Sequence, residues 1–210
     1  MKNLDKLGFI PSVINGTETL FECPKEATLP DSYSYVNVLP NVINQGKLSI
    51  CVPCSMSAYL NWKANLEFLT NDDNSIDLFS IYNSRDNKGD GMSFKAAFKF
   101  LRHVGVESNI GILKIGHYGK INGIDDLKFA IISNGPCFGA LPVYGEHCDF
   151  WNKKTGFRTL KGYHAISIVG FDKDGFIIRN SWGKNFCENG YTKINYSDFR
   201  KLLEVWTVID

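Results

Sequence analysis

Two cysteines stand three apart in the stretch NQGKLSICVPCSMSAYLNW, Cys51 and Cys54, behind a Gln-Gly pair and ahead of a helical pattern. A Cys-x-x-Cys of this kind suits a redox couple, half of a metal site, or a nucleophile with a second thiol beside it. A thiol in the first turn of a helix meets free backbone N–H groups and the positive end of the helix dipole, and both favour the thiolate. The same N–H groups can hold an oxyanion, to which the Gln45 side chain could add a donor. Pro53 is tolerated in that turn because its missing N–H would have had no intrahelical partner. Cys51 and Cys54 both fit the first turn, so local geometry leaves the choice between them open.

A second set of residues lies far along the chain. His164 is eight residues before the turn DKDG at 172–175, and Asn180 is five residues after it. Antiparallel pairing around the turn brings the two together at the end away from it. The unequal spacing calls for a bulge, and Gly170 is the residue to host it. An imidazole oriented by an amide and facing a thiol is an arrangement for nucleophilic catalysis. Trp182, two residues beyond Asn180, shares its face in an extended strand and can cover the His–Asn pair from water. Taken alone, the pair equally fits a polar sheet edge beside a core tryptophan.

The elements that must position these residues follow from periodicity. Residues 51–69 read as a helix with Tyr59, Trp62, Leu66 and Leu69 on one stripe, stopped by NDDN at 71–74. A second helix starts at Ser93 as N-cap, places Phe94, Ala97, Phe98 and Leu101 on one face, and stops at Gly105. A third covers DDLKFAIIS at 125–133, ended by Gly135 and Pro136. CFGALPVY, YHAISIVGF, FIIRNSW, GYTKINY and VWTVID then read as strands. Helices come first and strands later, which predicts an α+β fold with a helical half, an antiparallel sheet or barrel half, and a site in the cleft between them.

Composition sets the outer bounds. With 210 residues, 44% hydrophobic, the chain suits one large domain or two small lobes. A formal net charge of +1 gives no reason to expect nucleic acid or an anionic membrane as partner. The chain contains no apolar run of the roughly 18 residues that a membrane span needs. The N-terminal apolar stretch 7–10, broken by Pro11, is too short for a signal-peptide core. On that ground the six cysteines (Cys23, Cys51, Cys54, Cys137, Cys148 and Cys187) are expected to be mostly reduced and the protein cytoplasmic. There is no second Cys-x-x-Cys or His-x-x-x-His pair, so no metal is expected, and no cofactor is implied. His103, His117 and His147 have no partner pattern and read as surface or loop histidines.

Three blocks carry a likeness to a known family: NQGKLSICV at 44–52, GYHAISIVGF at 162–171 and RNSWGKNFCENGY at 179–191. DLFSIYNSR at 77–85 and GMSFKAAFKFLRHVGV at 91–106 add weaker echoes. In order and spacing they resemble the papain-like cysteine peptidases, especially the short bacterial, archaeal and viral branch. The resemblance implies a two-lobed fold, and it resolves the choice of thiol. The family's oxyanion glutamine precedes its nucleophile by six residues, as Gln45 precedes Cys51. It therefore implies Cys51 as nucleophile with a depressed thiol pKa, His164 as general base and acid, Asn180 as its orienting residue and Gln45 as oxyanion donor. Cys54 becomes a buried small hydrophobe. Gly91 is implied to line the non-primed cleft and Ala165 the adjoining subsite, beside Trp182.

The chain departs from the family pattern where Ser49-Ile50 replaces Gly-Ser, Val52 replaces an aromatic residue, and Cys187 replaces a glycine. The implied function is hydrolysis of peptide or isopeptide bonds by a monomer acting on protein or peptide substrates. A thiol–disulfide oxidoreductase using Cys51-Val52-Pro53-Cys54 leaves the His164 and Asn-Ser-Trp-Gly blocks without a role. A papain fold kept only for binding leaves all four catalytic residue types unexplained. Residues 30–210 are expected to form the peptidase domain, and 1–29 an extension without the usual long prosegment. That extension is read as a short strap over the cleft, a vestigial propeptide or a tail.

Overall fold

A computed structural model describes residues 7–68, 73–156 and 159–210. In chain order its elements are strand β1 (Tyr33–Ser34), helices α1 (Cys51–Phe68), α2 (Leu78–Asn83) and α3 (Phe94–His103), a hairpin of β2 (Val106–Ser108) and β3 (Gly111–Leu113), strand β4 (His117–Lys120) and helix α4 (Ile124–Asn134). Strands β5 (Cys137–Val143), β6 (Gly162–Phe171), β7 (Gly175–Arg179), β8 (Tyr191–Asn195) and β9 (Glu204–Ile209) complete the chain.

The helices form for different reasons. In α3 the Ser93 hydroxyl accepts the Ala96 N–H at 3.2 Å, and Phe94, Ala97, Phe98 and Leu101 bury one stripe, as its periodicity predicts. α1 is buried on nearly every side from Cys51 to Asn61, as a helix enclosed by other elements must be. Its buried polar side chains turn back on their own helix: Ser55 donates to the Val52 carbonyl at 2.8 Å and Asn61 to that of Ser57 at 3.0 Å. The expected stripe therefore holds for Tyr59 and Trp62 but not for Leu66, which is 62% exposed; Leu69, with part of the NDDN stop, lies outside the described residues. α4 ends at Gly135, whose φ of 91° and a Trp62 ring 2.4 Å from any added Cβ leave room for glycine alone.

Apart from the β2–β3 hairpin, which forms a sheet of its own, the strands form one antiparallel sheet in the order β4-β9-β5-β6-β7-β8, with β1 on β6. Between β6 and β7 the register shifts: Ile168 pairs with Ile178, but Gly170 pairs with Ile177. The extra residue is Val169, and its carbonyl accepts the Tyr35 N–H at 2.9 Å. Gly170 is needed because β1 crosses so closely that a Cβ would stand 2.5 Å from the Tyr33 carbonyl oxygen. The expected bulge is thus present, and it is what brings Asn180 back towards His164.

Two cores lie on either side. One packs Tyr59, Leu60, Phe94 and Phe98 of the helical half against Phe138 and Trp206 of the sheet. The other packs Leu127 and Ile131 of α4 against Leu141, Ile166, Ile168 and Phe176. Burying a side chain of this size contributes about 1.5–3 kcal/mol each.

Residues 7–23 run as a strap across the front of the molecule. The Gly8 carbonyl accepts the Met92 N–H at 2.8 Å and the Ile10 N–H donates to the Met92 carbonyl at 3.0 Å, a parallel bridge centred on Phe9. The Phe9 ring enters the first core, 5.1 Å from Phe94. The Ser12 N–H donates to the buried carboxylate of Glu204. Lys95 pairs with Glu18 at 2.9 Å and donates to the Val13 carbonyl at 2.9 Å. Leu20 then bridges Lys120 on the edge strand β4, and the Cys23 N–H donates to Asp126 at 2.8 Å. Between these anchors residues 13–17 are exposed to solvent, Val13 at 82%.

Candidate active site

Cys51 is the first residue of α1, and the Ile50 carbonyl before it accepts the Cys54 N–H at 3.0 Å. The N–H groups of this turn are therefore open to an acceptor. Backbone groups of Ala165, Gly8, Val52 and Cys51 itself lie near enough to the Cys51 sulfur to favour its thiolate. The Ala165 contact sets the sulfur beside the residue that follows His164.

His164 projects from β6, fully buried. Its Nε2 and the Asn180 Oδ1 are 2.7 Å apart, while its Nδ1 has no hydrogen-bond partner. The amide oxygen thus requires the proton on Nε2 in the neutral ring, and leaves Nδ1 as the basic nitrogen. Asn180 Oδ1 is itself held by the Ser181 N–H at 2.7 Å. The Trp182 ring lies over the imidazole, centroids 4.7 Å apart and 29° from parallel, and Phe150 meets the imidazole edge-on. This covers the His–Asn bond in the way the strand pattern predicts.

Gln45 is placed by the same loop. Residues 43–45 and 181–183 pair backbone to backbone, with Gln45 N–H to the Ser181 carbonyl at 2.9 Å and Gly183 N–H to the Ile43 carbonyl at 3.0 Å. The Ser181 hydroxyl donates to Gln45 Oε1, and Gln45 Nε2 donates to the Leu48 carbonyl at 2.8 Å. One amide proton is thereby committed and the other remains for a ligand. Ser181 lies within RNSWGKNFCENGY, but its place between a buried asparagine and a buried glutamine is visible only in three dimensions.

Gly91 and Ala165 stand on opposite walls, and the strap lies between them. A Cβ on Gly91, whose φ is 94°, would meet the Gly8 carbonyl oxygen at 2.8 Å; a Cβ on Gly8 would stand 2.1 Å from the Ser49 carbonyl oxygen. Three backbones, those of Gly8, Ser49 and Gly91, therefore meet here. The consequence for charge is direct. Burial pushes the Cys51 thiol up to about 11 in spite of the backbone groups around it, and burial lowers His164 to about 4 in spite of Asn180. The expected depressed thiol pKa is not found, because burial disfavours both members of a thiolate–imidazolium pair. Among the described residues no three His, Cys, Asp or Glu side chains converge to hold a metal ion.

Comparison with known proteins decides the lineage. The profile of the family described as papain family cysteine protease matches residues 60–202. The chain belongs to the papain family. Among papain-family relatives, it is 27% identical over 153 residues to cathepsin B-like cysteine proteinase 4 of Caenorhabditis elegans, covering 69% of this chain and 41% of that protein. It is 44% identical over 92 residues to zingipain-2 of Zingiber officinale, covering 40% of this chain and 42% of that protein. The chain thus spans about two fifths of the length of the curated relatives it matches.

Among solved structures, the fold is similar to that of xylellain, a cysteine protease from Xylella fastidiosa. That comparison gives a TM-score of 0.79 at 22% identity, over 96% of this chain and 94% of that one. It is also similar to procathepsin L2 of the Tenebrio molitor larval midgut, at a TM-score of 0.73 and 17% identity, over 98% of this chain and 78% of that one. The papain-like α+β architecture expected from the order of helices and strands is the one observed. The family match includes His164 and Asn180 and begins after Cys51, so the placement of Cys51 rests on its position in this fold.

One pairing departs from the expectation of mostly reduced cysteines. Cys148 and Cys187 form a disulfide, Cα atoms 5.6 Å apart, while Cys23, Cys51, Cys54 and Cys137 are free. Their separation of 39 residues hid the pairing in the sequence. The bridge ties the loop before Phe150 to the loop carrying Trp182 and Phe186, whose rings pack together at 4.9–6.3 Å. Among the described residues no helix is long and apolar enough to cross a membrane.

Proposed function

We propose that this chain is a cysteine peptidase of the papain type, held latent by residues 7–12 lying in its own cleft. The observation that carries the reading is the 2.7 Å contact between His164 and Asn180 with Nδ1 left unpartnered, in the residue next to the one whose backbone lies beside the Cys51 sulfur. When the strap lifts, water reaches the cleft and the proton moves from Cys51 to His164 Nδ1. The Cys51 thiolate attacks a peptide or isopeptide carbonyl, and the Cys51 N–H and the free Gln45 amide proton hold the oxyanion. His164 gives its proton to the leaving amine, then takes one from the water that releases the acyl group. Asn180 holds the imidazole in register through both proton transfers. The strap blocks this by direct occupation: Gly8 sits on the sulfur and Phe9 fills apolar space against Met92 and Phe94.

Intact-mass labelling with iodoacetamide at mildly acidic pH, followed by peptide mapping, tests the reading. Cys51 should be the fast site in a strap-opened Gly8→Val chain, and His164→Ala in that background should slow it by a factor of about 10²–10⁴. Fast labelling of Cys54, or labelling indifferent to His164, would overturn the assignment.

A further inference from the structure

The Cys148–Cys187 bridge lies at the surface, with Cys148 exposed and Cys187 partly so, yet each half-cystine adjoins the cover over His164. Phe150 stands two residues after Cys148, and Phe186 directly precedes Cys187. The Phe150 ring meets His164 edge-on at 5.9 Å and lies 4.9 Å from Trp182. Phe186 meets Trp182 edge-on at 5.0 Å. Trp182, stacked 4.7 Å from the imidazole, is thereby gripped by a ring from each of the two bridged loops. After β5 the chain runs from 144 to 156 without helix or strand. Ordering an irregular segment of that length costs conformational entropy that its contacts must offset. The Thr192 hydroxyl donates to the Cys148 carbonyl at 3.0 Å, but in an exposed position. The backbone at Cys187 adds a second observation. Its φ is 44°, in the left-handed region where a side chain is strained and glycine is not. A cysteine there goes against the backbone preference, and what its side chain contributes is the bond to Cys148.

We propose that Cys148 and Cys187 are a positioning pair for His164. Joined, they hold Phe150 and Trp182 over the imidazole; parted by a dithiol, they release that cover, and proton transfer through His164 slows. The proposal rests on His164 being the general base and acid of the peptidase reading. In the opening step a thiolate of the dithiol attacks one bridge sulfur. A mixed disulfide forms, the Cys148–Cys187 bond breaks, and the departing cysteine takes up a proton. The second thiol of the reductant then attacks the reductant's own sulfur in the mixed disulfide, closes an internal disulfide and releases the other cysteine. The bridge gains two electrons and two protons, and the dithiol loses them. With the rings loosened, water competes for the His164–Asn180 bond and solvates the ring, whose burial otherwise disfavours its charged form. Catalysis then asks for two redox states in one chain, a reduced Cys51 and an oxidised bridge. The fold separates them, Cys51 being fully buried and the bridge superficial.

The test uses the full chain and two bridgeless variants, Cys148→Ser and Cys187→Gly, the second of which suits the φ of 44°. The ring proton resonances of His164, assigned by comparison with His164→Gln, are followed against pH with and without dithiothreitol. Asn180, Trp182 and Phe150 pack on the ring without charge, and burial keeps Cys51 protonated through the acid range, so a moved midpoint reports water at the ring. The midpoint should rise from about 4 towards 6.5 in both variants, and in the unsubstituted chain only with dithiothreitol. In the strap-opened Gly8→Val background, loss of the bridge should lower kcat on a fluorogenic peptide about ten- to hundredfold with KM nearly unchanged. Dithiothreitol should slow the bridged chain and leave the bridgeless ones as they are. A bridge whose loss lowers the urea midpoint but moves neither the His164 titration nor kcat would overturn the proposal. If Cys51 alkylation depends on His164 but the titration is the same with and without the bridge, the positioning role fails alone. If the titration moves but alkylation ignores His164, the bridge positions the ring and the peptidase reading is what fails.

Discussion

At the scale of single residues, the Asn180 amide oxygen does two jobs, accepting from His164 and from the Ser181 N–H. Asn180→Ala removes a hydrogen bond to a ring that carries charge in the proposed mechanism, a loss of about 1.5–3 kcal/mol. The expected result is a kcat about 10- to 100-fold lower on a fluorogenic peptide, with KM nearly unchanged, since the bond matters most in the transition state. The residues of this constellation were legible to different degrees. Gln45 and Cys51 stand six apart, His164 and Asn180 flank a turn, and Trp182 follows by two; such spacings survive in one dimension. Ser181, Glu204 and Gly8 gave no such signal. Ser181 and Glu204 take their roles from partners more than a hundred residues away and Gly8 from Ser49, 41 residues on, and nothing local marks a glycine as the one that must pass over a carbonyl.

At the scale of elements, the strap is held by a few identifiable contacts, and each can be removed. A side chain at position 8 cannot coexist with the Ser49 carbonyl 2.1 Å from its Cβ. Gly8→Val should therefore raise the rate of Cys51 alkylation at neutral pH by at least tenfold, a shift worth about 1.4 kcal/mol in the closing equilibrium. The two Glu204 oxygens accept from Ser12 and Trp206 separately, so Glu204→Gln keeps one acceptor, turns an amide N–H towards the other donor and loses the charge. A smaller rise, about two- to tenfold, is expected there, since a hydrogen bond to a charged group is roughly twice as strong as a neutral one. Alkylation rates unchanged in both would show that the strap does not limit access.

Helix α3 was readable because its cap and stripe are local. The stripe assigned to α1 was wrong at Leu66 because a helix enclosed on most sides has no single apolar face to read. α2, six residues long, is set by the Asp77 cap accepting from Phe79 and Ser80 at 3.1 Å, too short a signal for periodicity. Strand β4 exists only because β9, from the end of the chain, lies beside it.

At the scale of the whole molecule, burying a neutral thiol and a neutral imidazole makes stability depend on pH from both sides. His164 is lowered by burial from 6.5 to about 4, so the unfolded chain takes up this proton first. Its contribution is complete above pH 6.5 and is lost as pH falls towards 4, in total about 3 kcal/mol. Cys51 is raised by burial from 9 to about 11, so the unfolded chain releases this proton first, and stability falls as pH rises through that range. Urea midpoints measured across pH should therefore form a plateau between 6.5 and 9. His164→Gln should flatten its acid limb. A limb unaffected by that substitution would mean that other groups control acid unfolding.

The exposed stretch between the two groups of strap anchors has a consequence of its own. Residues 7–12 occupy the cleft and 18–23 hold to Lys95, β4 and α4, while 13–17 between them stand in solvent. As one chain, the cleft-filling segment is present at an effective concentration of order millimolar whatever the protein concentration. A single backbone cut within 13–17 leaves every contact in place and changes only that number. On the proposed reading the severed segment becomes an ordinary dissociable peptide, and inhibition independent of dilution becomes something dilution removes. Nicking this stretch with an added protease, then assaying at micromolar and nanomolar enzyme, should give low specific activity at the first and high at the second.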